Sequence, residues 1–158
     1  MKCNQETAPE LRLGPGAGGP LEFELRLPSD PRLLCVVRSA VAKLAAVWGF
    51  EEDQCRCITL AVDEALSNVI RHAYANCFDG EVELRCRALP DGLEFTLVDR
   101  GEPPDPARIC AQARDAISAG GRGTHLIRQI MDEVCYDRVP EGNRLRLKKY
   151  FRSARPGA

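Results

Sequence analysis

Between Ile58 and Tyr74 the chain reads ITLAVDEALSNVIRHAY, and this stretch limits the possible folds more than any other. Ile58, Ala61, Val62, Ala65, Leu66, Val69, Ile70 and Ala73 recur at three- and four-residue intervals, which makes one apolar stripe along an α-helix. A stripe that broad has to lie on a second layer. Beside it runs another repeat. Glu64, Asn68 and His72 fall four apart and therefore stack on one side of the same helix. An acid, an amide and an imidazole in line at the edge of a core face suit the wall of a cavity.

The flanking segments supply the second layer. In LEFELRL, residues 21–27, Leu21, Phe23, Leu25 and Leu27 alternate with Glu22, Glu24 and Arg26, the pattern of a half-buried strand. Pro28, Ser29, Asp30 and Pro31 form a helix start. The helix they open is expected to reach Trp48, with Leu33, Leu34, Val37, Ala40, Val41, Leu44 and Ala45 on its core face and Gly49 as its stop. Glu51, Glu52 and Asp53 put negative charge at the N-terminus of the next helix, which ends near Tyr74. ANCFDG is a turn. EVELRCRAL and GLEFTLVD then read as a hairpin joined by Pro90, Asp91 and Gly92. Residues 102–120 lack sustained periodicity and read as a long mobile loop with room for one short helix; loops of that length in a compact domain are usually functional. THLIRQIMDEV returns to helical spacing through Leu126, Ile127, Ile130, Met131 and Val134, and VCYDR and RLRLKKYF are strands around a PEGN turn. The order β-α-α-β-β-loop-α-β-β predicts an α+β fold: a two-layer sandwich of a mixed β-sheet with the helices packed on one face. Residues 1–20 read as a flexible leader, 21–152 as the single domain and 153–158 as a tail.

Charge and cysteine usage remove several functional classes. Twenty-two basic against 23 acidic residues leave a net charge of -1, so neither nucleic acid nor an anionic membrane is the expected partner. Arg144, Arg146, Lys148, Lys149, Arg152 and Arg155 crowd one region and read as a solvated strand face with a tail. No segment approaches the roughly 20 apolar residues of a membrane span, and no apolar run near the start resembles a signal peptide. The expected location is cytoplasmic. None of the eight cysteines shows C-x₂-C spacing. Cys55 and Cys57 lie two apart on a helix and face opposite sides. Cys35 and Cys86 stand where periodic segments call for apolar residues, so reduced core thiols are expected.

Three short patterns carry chemistry. The Glu64/Asn68/His72 seam offers a carboxylate able to act as a general base and an amide oxygen able to ligate Mg²⁺; its plain alternative is a row of boundary residues bonded locally. In LVDRGEPPDP a strand runs out at Asp99 and turns at Gly101, which sets a carboxylate at a sheet end beside a backbone that a flat ring can approach. The plain alternative is an Asp capping its own turn. In GGRGTHLI, Gly120, Gly121 and Gly123 precede a helix, where free N–H groups can cradle phosphate. The loop is not a Walker loop, since no Gly-Lys-Ser/Thr follows it.

In this order, DEALSNVIRHAY at 63–74, DRGEPPDP at 99–106 and GGRGTHLIRQIMDEV at 120–134 resemble the N, G1 and G2 boxes of the GHKL (histidine kinase-like) ATPase superfamily, which includes gyrase B and the histidine kinases. The fine pattern is most similar to the anti-sigma-factor serine/threonine protein kinases, HAY and MDEV being its more specific pieces. The resemblance covers about residues 21–151 and implies a Bergerat-type ATP-binding fold with ATP and Mg²⁺ as cofactors. It implies Glu64 as the base, Asn68 as the Mg²⁺ ligand, Asp99 as reader of the adenine amino group with Gly101 beside the ring, and Gly121 and Gly123 as backbone phosphate contacts. Thr124 is a further side-chain contact, 102–120 an ATP lid, and His72 a structural partner. The implied activity is phosphorylation of a serine on a small antagonist (anti-anti-sigma, STAS-like) protein by a kinase that also sequesters a sigma factor, and a homodimer is compatible with it. A non-catalytic ATP-binding partner-switch module and a simple ATPase stay open as alternatives, because Glu64 would serve protein or water as acceptor. The arginine that some members place just before the G2 glycines is replaced here by SAGG, with Arg114 and Arg122 nearby.

Overall fold

A computed structural model of the chain describes residues 22–104 and 122–151. The expected leader 1–20, nearly all of the 102–120 loop, Gly121 and the 153–158 tail lie outside the described residues. Strand β1 (Glu22–Pro28) leads into a short 3₁₀ turn at Pro31–Leu33 and then α1 (Leu34–Val47). The start signal works as expected: the Asp30 carboxylate accepts a hydrogen bond from the Arg32 N–H at 2.9 Å, the role of a side-chain cap. Gly49 follows with φ of 94°, a conformation that favours glycine and stops the helix. Helix α2 (Glu52–Asn68) begins with a capping box in which the Glu51 N–H donates to Gln54 Oε1 at 3.2 Å. Strands β2 (Glu81–Leu89) and β3 (Gly92–Asp99) form the expected hairpin. Helix α3 (Arg122–Ile130) leads to β4 (Glu133–Val139) and β5 (Gly142–Tyr150).

Among the described residues five strands are ordered β1-β2-β3-β5-β4, and each of their pairings is antiparallel. The expectation of a mixed sheet is corrected here, for a topological reason. The β3–α3–β4 crossover leaves β3 and β4 running the same way, which would give a parallel pair if they touched. Instead β5 inserts between them and runs against both. The α+β class and the layer of helices on one face stand.

Alternation builds the core. Val82, Leu84 and Cys86 on β2, Leu93, Phe95 and Leu97 on β3 and Leu147 on β5 are buried on one face of the sheet. Against them lie Val37, Val41 and Ala45 of α1 and Ile58, Ala61, Val62, Ala65 and Leu66 of α2. The apolar stripe read from the sequence is thus the buried face of α2. The opposite face of the sheet is a grid of ion pairs: Arg87 with Glu94 at 2.6 Å, Arg144 with Asp137 at 2.5 Å and Lys148 with Glu133 at 3.0 Å. The basic residues of β5 are therefore paired rather than merely solvated.

Two further expectations change. Helix α3 stops at Ile130, and Val134 sits on β4 opposite Leu147. No glycine or proline marks the stop; Asp132 makes it, accepting from the Tyr150 N–H at 2.8 Å and from Lys149 Nζ at 3.2 Å. Of the described thiols, Cys55 and Cys86 are buried, while Cys35, Cys57, Cys77 and Cys135 are exposed. The buried positions of α1 are Leu34, Val37, Val41 and Ala45, so Cys35 falls beside the stripe rather than on it.

Candidate functional site

Helix α2 changes pitch at its C-terminal end. Val69–Ala73 is a π-helical turn, a local widening common at functional sites. It closes with the Tyr74 N–H donating to the Val69 carbonyl at 3.1 Å. Tyr74 then ties the turn to the sheet: its hydroxyl donates to the Glu81 carbonyl at 2.6 Å and accepts from the Arg100 N–H at 3.0 Å. The Glu102 N–H donates to the Ala73 carbonyl at 2.8 Å, and a methyl group on Gly101 would collide with that same carbonyl. Gly101 is thus required by the approach of two backbones, so its being glycine has a cause in the fold itself.

At the end of β3, Asp99 is only 6% exposed. Its Oδ1 accepts from the Gly101 N–H at 3.0 Å and from Asn143 Nδ2 at 2.8 Å. Asn143, 1% exposed, is its direct partner across β3 and β5. Desolvation raises the Asp99 carboxyl above its ordinary value, and the bonds from Asn143 and Gly101 oppose that rise without cancelling it. Two more polar atoms are buried on the same side of the sheet, Asn143 Oδ1 and the Tyr136 hydroxyl, with no hydrogen-bond partner among the described residues. Burial, with a smaller contribution from the charge of Asp99, pushes the Tyr136 hydroxyl up to about 12. Buried polar atoms without partners need a reason, and here they cluster about one carboxylate.

The other half of the site is where α2 meets α3. A methyl on Gly123 would overlap the Glu64 carboxylate, so the first turn of α3 rests directly on Glu64. Half-exposed Arg71 reaches back along α2, and its Nη2 donates to Glu64 Oε1 at 2.9 Å and to Asn68 Oδ1 at 3.0 Å. Its Nε donates to the Ser67 carbonyl at 3.2 Å. Among the described residues no three His, Cys, Asp or Glu side chains gather as a metal cluster. A metal beside α2 would rest on the hard oxygen of Asn68 and on a ligand's own oxygens.

With this geometry, comparison with known proteins becomes informative. A family model described as the histidine kinase-like ATPase domain matches residues 27–149. The chain belongs to this family. Among its curated relatives, the serine-protein kinase RsbW of Bacillus velezensis is 30% identical over 124 residues, covering 71% of this chain and 75% of that one. The protein of the same name in Listeria monocytogenes serotype 4a is 29% identical over 141 residues, covering 82% and 87%. A crystal structure of RsbU and RsbW domains from Mycobacterium tuberculosis has the same fold, with a TM-score of 0.58 at 16% identity over 82% of this chain, which spans only 32% of that one. A blue-light activated histidine kinase of Erythrobacter litoralis gives 0.52 at 21% identity, covering 77% and 41%.

Within this histidine kinase-like ATPase domain the residues singled out from sequence divide into groups. Glu64, Asn68 and Gly123 stand together. Asp99 and Gly101 stand together at the end of β3, joined to the first group through the π turn and Ala73. Thr124 is half-buried in the first turn of α3, and Gly121 lies outside the described residues. His72 is exposed and does not complete the seam. Arg71 does, its long stem reaching back to both Glu64 and Asn68. Sequence reasoning passed over Arg71, Asn143 and Tyr136. Arg71 lay inside the quoted stretch but off the four-residue repeat. Asn143 read as part of the PEGN turn, and only the β3–β5 register reveals it opposite Asp99.

Proposed function

We propose that the chain is an ATP- and Mg²⁺-dependent protein serine kinase of the anti-sigma type, phosphorylating a serine on a small STAS-like antagonist and binding a sigma factor. The observation that carries the proposal is the contact of Glu64 with Gly123, one helical turn before Asn68. It sets a carboxylate, an amide oxygen and the start of a helix around one point. The residues suit the cofactors: Gly123 has no side chain at a helix N-terminus, Asn68 offers a hard oxygen, and Asp99 is a buried acceptor. The similarity to serine-protein kinases over three-quarters of their length supports the same reading.

In this reading Asp99 accepts the adenine amino group while Asn143 and the Gly101 N–H hold its other oxygen. Gly121, Gly123 and Thr124 bind phosphate at the start of α3. Asn68 holds Mg²⁺, whose chemistry when bound is to neutralise phosphate charge. Glu64 orients the serine hydroxyl and takes its proton, the part a carboxylate plays in phosphoryl transfer. The protein acts in the cytoplasm with no direct contact to nucleic acid, and light scattering tests the homodimer that belongs to the same proposal. No helix among the described residues is long and apolar enough to cross a membrane.

The deciding experiment measures ATP affinity and radiolabelled phosphate transfer to the antagonist in wild type, Glu64→Ala and Asn68→Ala. Glu64→Ala should keep ATP affinity, since a carboxylate near a triphosphate repels it, while transfer falls by about 10²–10⁴, the usual effect of losing a general base. Asn68→Ala should weaken Mg²⁺-dependent binding and transfer together. A wild type that binds ATP but labels no partner would leave a binding module in place of the kinase.

A further inference from the structure

We propose that Arg71 is a positioning residue of this site: its guanidinium holds Glu64 in place and occupies Asn68 Oδ1 until a metal ion takes that oxygen. The inference rests on the assignment of Glu64 and Asn68 made above, and on three distances. One nitrogen, Nη2, lies 2.9 Å from Glu64 Oε1 and 3.0 Å from Asn68 Oδ1, and Nε lies 3.2 Å from the Ser67 carbonyl. Three acceptors within about one turn of α2 are thereby gripped by one planar group, a geometry that guanidinium supports and a single ammonium does not.

Two consequences follow from charge. Mg²⁺ binds oxygen at about 2.0–2.1 Å, so an ion on Asn68 Oδ1 would stand within roughly 5 Å of a guanidinium nitrogen still bonded to that oxygen, and like charges so close repel. Metal and Arg71 therefore compete for Asn68. The competition is mild, because Arg71 and Glu64 side chains are 49% and 26% exposed and pairs so open to water hold weakly. Glu64 has no such rival. Arg71 can leave Asn68 and keep its bond to Glu64, which fixes the carboxylate while the metal is seated. Asn68 is the last residue of α2 and Arg71 lies inside the π turn that follows, so the two contacts bridge the change of pitch.

The test titrates Mg²⁺ into the full chain with a fluorescent ATP analogue, for wild type, Arg71→Met and Arg71→Lys, with circular dichroism to verify folding. Methionine keeps the apolar stem and removes the competing charge. The half-saturating Mg²⁺ concentration should fall about two- to fivefold in Arg71→Met, the factor that a weak exposed pair converts to. Lysine, with one charged centre, should lie between Arg71→Met and wild type. In the transfer assay Arg71→Met should lower kcat several-fold with the KM for ATP unchanged, and lysine should restore part of it. If Arg71→Met needs as much Mg²⁺ as wild type, or more, the proposal for Arg71 fails while the site stands. If wild type itself binds the nucleotide without any dependence on Mg²⁺, the assignment of Asn68 fails and takes this proposal with it.

Discussion

The burial of Asp99 works against stability. Its carboxyl is raised by burial, so the folded chain keeps that proton to higher pH than the unfolded chain does. Stability from this group is full below the ordinary aspartate value of about 3.9 and declines as pH rises through the folded value, because over that interval the native state holds the extra proton. At neutral pH the buried charge therefore opposes folding. Asp99→Asn keeps an acceptor for the Gly101 N–H and for Asn143 while removing the charge. It should stabilise the protein at pH 7 by ~0.5–2 kcal/mol and flatten the decline above pH 4, both read from thermal melts across pH. The same change should weaken ATP binding by about 1–3 kcal/mol, since a charged hydrogen bond to the base is lost or reversed, read by calorimetry. Loss of stability with no loss of affinity would show that Asp99 only caps its turn. The acid and its turn were legible from DRG alone. Asn143 was not, because a partner 44 residues away leaves no local trace.

Helix α2 carries an apolar face and a polar one, and both patterns were visible in its sequence. The apolar stripe was readable because helical periodicity survives any tertiary context that buries it. The π turn was not, since no residue type compels one. The junction with α3 was half legible: glycines before a helix suggest a phosphate cradle, but only the packing shows that Gly123 lies on Glu64. That contact gives a prediction in which stability and activity diverge. In a helix, alanine is favoured over glycine by roughly 0.8–1.0 kcal/mol. Gly123→Ala would nonetheless push a methyl into the Glu64 carboxylate. We expect a melting temperature within a few degrees of wild type, because Glu64 is a side chain that can yield, and phosphate transfer reduced about tenfold or more, because a small misplacement of a catalytic group is costly. Transfer at the wild-type rate would mean that the Glu64–Gly123 contact has no bearing on chemistry. The end of α3 shows the opposite kind of failure. MDEV continues helical spacing by coincidence, and what halts the helix is the bonding of Asp132 to β5, invisible without the sheet.

Across the whole molecule one sheet divides an apolar layer from a charged one, and the two faces respond differently to mutation. On the charged face Glu94 is 7% exposed at its side chain while its partner Arg87 is 42% exposed. Arg87→Ala would strand a nearly buried carboxylate and should cost about 1–3 kcal/mol, below the 3–5 of a fully buried pair because water still reaches Arg87. Adding Glu94→Gln should recover most of that loss, a coupling that denaturant titration of the double-mutant cycle measures. The exposed pair Arg26 with Glu24, at 60% and 42%, should show no measurable coupling in the same assay. The strand order has a consequence of another kind, in time rather than in energy. Of the five described strands β5 is the last to leave the ribosome, yet it lies between β3 and β4 and brings Asn143 to Asp99. Until it emerges, a growing chain has a three-stranded β1-β2-β3 sheet with β3 as an open edge, a β4 with no neighbour to pair with, and an aspartate with no partner across the sheet. Pairings of such long range are the slow ones in folding. A nascent chain therefore acquires the Asp99–Asn143 corner only when synthesis of these strands is nearly over, and a half-made copy lacks the corner on which the proposed nucleotide site depends.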